Sequence, residues 1–99
     1  MTVKSTHQTK VPMRNFMEEL ADESLRSILS KSGQRGKRFS EGAVNDIKAL
    51  ALNRLWPMYV TTTTGQDFLR KMVEEDQVRQ DVLRELHAAI AIVQAKPRN

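Results

Sequence analysis

Apolar residues recur at helical spacing in the first half of the chain. Between residues 13 and 30 two adjacent, mostly apolar stripes repeat every three or four positions, one made of Phe16, Leu20, Ser24 and Ile28 and the other of Met17, Ala21, Leu25 and Leu29. Gly33 and Gly36 are predicted to end this helix. A second, central helix is predicted to begin after the N-cap residue Ser40, and its apolar positions cover more than one side: Ala43, Val44, Ile47, Leu50, Ala51, Leu52 and Leu55.

The pattern changes sharply at Pro57. Proline lacks a backbone N–H and disfavours the helical conformation of the residue before it, so we expect the central helix to end at Trp56. Residues 58–63 are rich in strand-forming side chains and are predicted to be extended.

Helical spacing returns in the last third of the chain. Thr64-Gly-Gln-Asp67 has the spacing of a capping box and is predicted to open a third helix. A later stripe comprises Val82, Leu83, Leu86, Ile90 and Val93, and we expect a break near Glu75 that makes it a fourth helix. The predicted fold is therefore mainly α, a small helical domain of about four helices with one short strand.

The single predicted strand needs a partner. An isolated strand leaves its backbone donors and acceptors unpaired, so we expect residues 58–63 to pair antiparallel with the same segment of a second chain across a two-fold axis. The wide apolar surface of the central helix is a second reason to expect a homodimer.

Size and composition limit the class of protein. The 99 residues suffice for one domain, predicted over residues 13–98 and preceded by a flexible basic arm over residues 1–12. That arm has no apolar segment of the kind found in signal peptides, and the longest apolar run is far too short to span a membrane. We expect a cytoplasmic protein without a membrane partner. The net charge of +4 favours polyanionic partners, although it is modest for a general nucleic-acid binder.

The sequence offers little for catalysis or metal binding. It contains no cysteine, and His7 and His87 are far apart with no ligand spacing around them. No phosphate loop of P-loop spacing is present either. We therefore expect no enzymatic activity and no metal site, with His87 on the surface or packed against a neighbour.

A basic segment is the best candidate for binding. Four cations fall between residues 31 and 38, and Arg35, Lys37 and Arg38 lie next to two glycines. Such a loop can close backbone and guanidinium groups on a phosphate, and arginine can also recognise the O6 and N7 atoms of guanine. The alternative is a solvated loop whose charges only keep the protein soluble.

Further candidate residues follow along the central helix and the strand. Trp56 and Tyr59 either stack on a purine or pack in the core. Asp46 either accepts hydrogen bonds from the N1 and N2 edge of guanine or lies in the first turn of the central helix, where the dipole favours it. Arg54 either reaches a phosphate or faces solvent. Asn53 is predicted to be structural and to fasten the helix end to the turn.

The threonine run that ends at Thr63 and Thr64 leads into Gly65 and a helix N-terminus. Its hydroxyls and free backbone N–H groups are of the type that binds anions. The alternative is the end of a strand followed by a helix cap.

Several of these residues also carry a family resemblance. The central run contains Asp46, Ala49-Leu50-Ala51-Leu52-Asn53, Leu55, Pro57, Tyr59-Val60 and Gly65. Asn15-Phe16-Met17-Glu18-Glu19-Leu20 opens the matching part, and Ala88, Ala89, Ile90, Val93 and Pro97-Arg98 close it. Residues 13–98 thus resemble the late competence development protein ComFB family. Members with a Cys-x-Cys-x-x-Cys zinc motif carry it where this chain has Arg38, Ser40 and Ala43, so no zinc is expected here.

The resemblance also implies a function. It implies a homodimer, and its cyanobacterial members imply a receptor for a cyclic dinucleotide second messenger, cyclic di-GMP above all, with cyclic di-AMP as another possible ligand. We expect such a receptor to signal through a protein partner, for example a transcription factor, rather than by binding nucleic acid directly. One alternative is a competence-related accessory protein that contacts nucleic acid through the basic loop, and another is a structural adaptor.

The expected binding residues are Arg35, Lys37, Arg38, Asp46, Arg54, Trp56, Tyr59, Thr63 and Thr64. The basic loop and the aromatic turn lie at opposite ends of the central helix, about 15 Å apart. We therefore expect each site to combine the loop of one chain with the turn of the other.

Overall fold

The computed structural model of the chain describes residues 10–31, 39–75 and 77–96. Within these ranges lie two strands and four helices, in the order β1 (Lys10–Asn15), α1 (Phe16–Lys31), α2 (Glu41–Leu52), β2 (Tyr59–Thr62), α3 (Thr63–Glu75) and α4 (Val78–Ala95). The mainly helical fold and the break between the third and fourth helices are confirmed. None of the helices in the described ranges is long and apolar enough to cross a membrane.

The core lies between α1, α2 and α4, which pack against one another. Both stripes predicted for α1 face it, with Phe16 and Leu20 at 0% and 1% exposure. Ile47 of α2 and Leu86 of α4 are fully buried opposite them. By contrast, Val73 is the one fully buried residue of α3, and Leu69 is partly buried against the core. The apolar spacing of the sequence therefore identified the core correctly.

The central helix begins as predicted but ends early. The backbone N–H of Ala43 donates to Oγ of Ser40 at 3.1 Å, which confirms the N-cap. The helix ends at Leu52, four residues before the predicted end at Trp56. The N–H of Arg54 already donates to the carbonyl of Ala51, three residues back, at 3.0 Å. Pro57 restricts only its immediate neighbour, whereas the chain must turn sooner to bring β2 beside β1.

The predicted strand exists, but its partner lies in the same chain. β2 pairs antiparallel with β1 in the register Asn15 with Tyr59, Arg14 with Val60 and Lys10 with Thr62, with an irregularity between Lys10 and Arg14. β1 therefore begins within residues 1–12, which were expected to form a flexible arm. Its sequence includes a proline and charged residues, features of edge strands that give little signal before folding.

Because β2 is paired within the chain, an unpaired strand no longer supports association of two chains. The reason for expecting residues 58–63 to pair with a second chain across a two-fold axis is therefore removed. The homodimer itself stays a prediction.

The side chain of Asn15 connects both strands to α1. Its Oδ1 accepts a hydrogen bond from the backbone N–H of Met17 at 3.1 Å and another from that of Met58 at 2.7 Å. The N–H of Phe16 also donates to the carbonyl of Met58 at 2.6 Å. Asn15 thus caps α1 and fixes the chain directly after Pro57. The sequence assigned this fastening role to Asn53, which is exposed at the end of α2.

A threonine caps α3, but it is Thr62, two residues before the predicted cap Thr64. The N–H of Gly65 donates to Oγ1 of Thr62 at 3.0 Å. Because the helix begins at Thr63, Thr64 lies inside its first turn and cannot open a capping box. A side chain at position 65 would bring its Cβ to 3.2 Å from this Thr62 oxygen, so glycine suits the close approach.

Replacement of Asn15 by alanine is expected to lower the free energy of unfolding by about 2 kcal/mol, because two backbone N–H groups lose their acceptor. Urea denaturation followed by circular dichroism measures this change. Asn15→Asp keeps an oxygen acceptor and should lose much less. Asn53→Ala is the matched control at an exposed amide, and an equal loss in both alanine variants would contradict the role of Asn15.

Candidate functional site

Among the described residues, one concave surface is a groove of about 380 Å³, called here the Trp56 groove. It lies where the turn after α2 meets the start of α1, the end of α3 and the start of α4. Its floor and walls are largely apolar and its rim carries three charged side chains; the lining residues are Met17, Arg54, Leu55, Trp56, Met58, Met72, Val78, Asp81 and Arg84. An apolar pocket of a few hundred Å³ with a few polar groups is the usual form of a small-molecule site.

Trp56 is exposed because the turn that carries it is held at both ends. On one side, the N–H of Leu55 donates to the carbonyl of Leu52 at 3.2 Å. On the other, Met58 is bonded to the Asn15 side chain. The indole is 86% exposed, which excludes core packing for Trp56 in this chain. An exposed tryptophan beside a groove offers a flat face for stacking.

The charged rim is built around Glu85 of α4. Arg54 Nε lies 3.2 Å from Glu85 Oε1, and Arg84 Nε lies 3.8 Å from Glu85 Oε2. Arg84 Nη2 also lies 3.0 Å from Asp81 Oδ1. The side chain of Glu85 is only 17% exposed, whereas the side chains of Arg54 and Arg84 are 72% and 61% exposed. Glu85 thus contacts and orients both arginines, while the arginine side chains remain largely accessible.

A second groove, of about 370 Å³, lies between α2 and α4 and is called here the Ile92 groove. Arg54 and Arg84 line both grooves and therefore separate them. Apolar residues, including Leu50 and the 54% exposed Ile92, form much of its lining.

A shallow acidic hollow lies on the α1 side of α2 and is lined by Glu18, Glu19, Asp22, Lys48 and Leu52. Lys48 Nζ is 2.9 Å from Asp22 Oδ1, and Arg26 Nη2 is 3.4 Å from Asp22 Oδ2. The hydrogen bond from Lys48 holds the pKa of Asp22 below its ordinary value of 3.8. This hollow joins two helices by an ion pair, and its acidic lining does not suit an anionic ligand.

The structure brings together only part of the predicted site. Arg54 and Trp56 line the same groove. Tyr59 is 61% exposed on β2, so it is not packed in the core, but it lies outside the lining of the Trp56 groove. Thr63 and Thr64 are the first two residues of α3 and likewise lie outside that lining.

The remaining predicted residues lie elsewhere. Asp46 is half-buried in the second turn of α2, so its predicted place in the first turn is wrong, and Glu41 is the acidic residue there. The helix begins directly after Ser40, which leaves Asp46 too far along for the first turn. Arg35, Lys37 and Arg38 lie outside the described residues.

Two charged residues of the groove were missed by the sequence analysis, Asp81 and Arg84. Their spacing of three residues on a helix was visible. What was not visible is that the start of α4 meets the turn of Trp56, which depends on how the helices pack. His87, on the same helix, is exposed. In the described parts of the chain, no cluster of three or more histidine, aspartate or glutamate side chains could hold a metal ion.

These features define a small helical domain with a short β-ribbon and a groove at the junction of its helices. The family model described as late competence development protein ComFB matches residues 14–97, and the chain belongs to this family. A solved structure, described as the late competence protein ComFB from Bacillus subtilis, has the same fold, with a TM-score of 0.76 and 22% sequence identity. The similarity covers 89% of this chain and 94% of that one. No curated protein gives a significant match.

The Asp22–Lys48 ion pair predicts a pH-dependent contribution to stability. Since the pKa of Asp22 is lowered by folding, the contribution is present above the ordinary value of 3.8 and is lost as pH falls through the lowered pKa. Lys48→Met should lower the free energy of unfolding by under about 1 kcal/mol at neutral pH, because both side chains are partly exposed.

Urea denaturation of wild type and Lys48→Met at about pH 7 and about pH 2 tests this expectation, and the difference between them should disappear at the lower pH. Lys71→Met, at an exposed lysine of α3, is the control. A difference that persists unchanged in acid would show that Lys48 acts through packing instead.

Proposed function

We propose that this chain is a cytosolic receptor for a cyclic dinucleotide, with cyclic di-GMP as the preferred ligand, and that it signals as a homodimer to a protein partner such as a transcription factor. The observation that carries the proposal is that the exposed Trp56 lines a largely apolar groove together with Arg54 and Arg84. Stacking surface and guanidinium donors are the two requirements for holding a base and its phosphate.

The indole supplies the larger part of the expected affinity. Stacking of a base on an aromatic side chain contributes roughly 1 to 3 kcal/mol, and an arginine adds a charge-assisted hydrogen bond to phosphate. Arg54 is the better phosphate ligand of the two arginines, because its side chain is the more exposed. The groove volume of about 380 Å³ lies in the range of small-molecule pockets.

The charge of the ligand supports a contribution from the basic loop. Arg54 and Arg84 are paired with Glu85 and Asp81, so these four side chains together have no net charge to neutralise two phosphates. The loop that contains Arg35, Lys37 and Arg38 precedes α2, whereas Arg54 follows it. The 12 residues of α2 separate these ends by about 18 Å. In the proposed homodimer the loop of one chain approaches the groove of the other and supplies the missing positive charge.

A second candidate function is supported by the family description alone, which is late competence development. In this case the chain is an accessory protein that contacts nucleic acid through its basic loop. Such binding would fall steeply as salt increases and would not require a cyclic ligand.

Replacement of Trp56 by alanine is expected to weaken binding of cyclic di-GMP at least tenfold, because a stacking contribution of about 1.4 kcal/mol or more is lost. Isothermal titration calorimetry of cyclic di-GMP, cyclic di-AMP and linear pGpG against wild type and Trp56→Ala measures this. Phe68→Ala is the matched control, since Phe68 is a 66% exposed aromatic residue outside the groove.

Absence of heat and of thermal stabilisation with every nucleotide would refute the receptor function. Tight binding that is equally strong in Trp56→Ala would refute the site. Titration of a DNA duplex at about 50 and 200 mM salt tests the second candidate.

A further inference from the structure

The Trp56 groove contains a hydrogen-bond donor and a hydrogen-bond acceptor side by side, Arg84 and Asp81. The phosphate contact proposed above is assigned to Arg54 and leaves this pair without a role. Asp81 and Arg84 lie one turn apart on α4, and Arg84 Nη2 is 3.0 Å from Asp81 Oδ1. Both line the groove together with Trp56. The Asp81 side chain is 39% exposed and that of Arg84 is 61% exposed, so each retains free hydrogen-bonding positions toward the groove.

Resting on the function proposed above, we propose that Asp81 and Arg84 recognise the edge of a guanine base stacked on Trp56 and thereby select cyclic di-GMP over cyclic di-AMP. A guanidinium donates to the O6 and N7 acceptors of guanine. A carboxylate only accepts, so it pairs with the N1–H and N2–H donors on the adjoining edge. The two side chains are in contact with each other and line the same groove, so together they supply the neighbouring donor and acceptor that these two edges of guanine require.

Adenine shares the N7 acceptor of guanine but presents the opposite groups at positions 6 and 1. It carries an amino group where guanine has O6, and its N1 is an acceptor. Against adenine, the Arg84 guanidinium would keep the N7 acceptor but would face a donor at position 6, and the Asp81 carboxylate would face an acceptor at N1. Polar groups left unpaired in this way discriminate strongly between similar ligands.

The other acid–base pair at the rim is less suited to this role. Glu85 holds Arg54 at 3.2 Å, but its side chain is only 17% exposed and is not part of the lining of the Trp56 groove. Its structural task is to orient the arginines. Asp81 is therefore the one carboxylate, among the residues that line this groove, that can meet a base.

The decisive variant is Asp81→Asn, because specific recognition and general electrostatics predict opposite results. The asparagine removes a negative charge, so electrostatics alone would strengthen binding of either anionic dinucleotide. Loss of the acceptor pair should instead weaken cyclic di-GMP binding by about tenfold or more and leave cyclic di-AMP binding unchanged or stronger. Arg84→Lys keeps the charge but loses the planar pair of donors, and it should also weaken cyclic di-GMP binding selectively.

Calorimetry with both dinucleotides against wild type, Asp81→Asn, Arg84→Lys and the control Asp67→Asn tests the inference. Asp67 is exposed on α3 and does not line the groove. Thermal denaturation without ligand should give the same midpoint for Asp81→Asn and Asp67→Asn, which separates recognition from folding. If the wild type binds cyclic di-GMP and Asp81→Asn binds it as tightly or more tightly, this assignment is overturned. The receptor function is then left intact. A wild type that binds neither dinucleotide would instead refute the receptor function, and this assignment with it.

Discussion

A single side-chain oxygen, Oδ1 of Asn15, determines how the helical part of this domain is joined to its ribbon. It accepts N–H groups from Met17 and from Met58, 43 residues away from Asn15 in sequence. The first bond fixes the start of α1, and the second fixes the chain after Pro57. The segment between α2 and β2, including the turn with Trp56, is therefore positioned relative to the core by a polar contact in addition to the packing of Leu55 and Met58.

This joint also explains which parts of the fold the sequence predicted. Helical spacing identified the buried faces of α1, α2 and α4, because burial of apolar side chains determines them locally. The end of α2 was placed four residues late, since the turn depends on a contact with Asn15 that no local pattern reveals. β1 was missed for a related reason, because Lys10–Asn15 becomes a strand only when β2 lies beside it.

The candidate site was predicted in the same uneven way. Arg54 and Trp56 were found because an arginine and a tryptophan near a proline are informative on their own. Asp81 and Arg84 become informative only when α4 packs against α2 and its first turn reaches the groove. The two residues were visible as a helical pair in the sequence, but their role depends on a neighbour 25 residues or more away in the chain. The fold was therefore easier to predict from the sequence than the site, because core residues recur at regular helical spacing whereas binding residues do not.

The ion pairs around Arg70 have a consequence for experiments at different ionic strength. Arg70 lies 3.2 Å from Glu23 and 3.8 Å from Glu19, and Arg14 lies 2.7 Å from Glu19, so these partly exposed charges tie β1 and α3 to α1. Dissolved salt screens exposed charges but hardly affects the neutral bonds of Asn15. The ion pairs of α3 therefore weaken in concentrated salt while the Asn15 bonds of the ribbon persist. For the proposed dinucleotide ligand, a salt dependence of binding would combine this loosening with the screening of phosphate contacts.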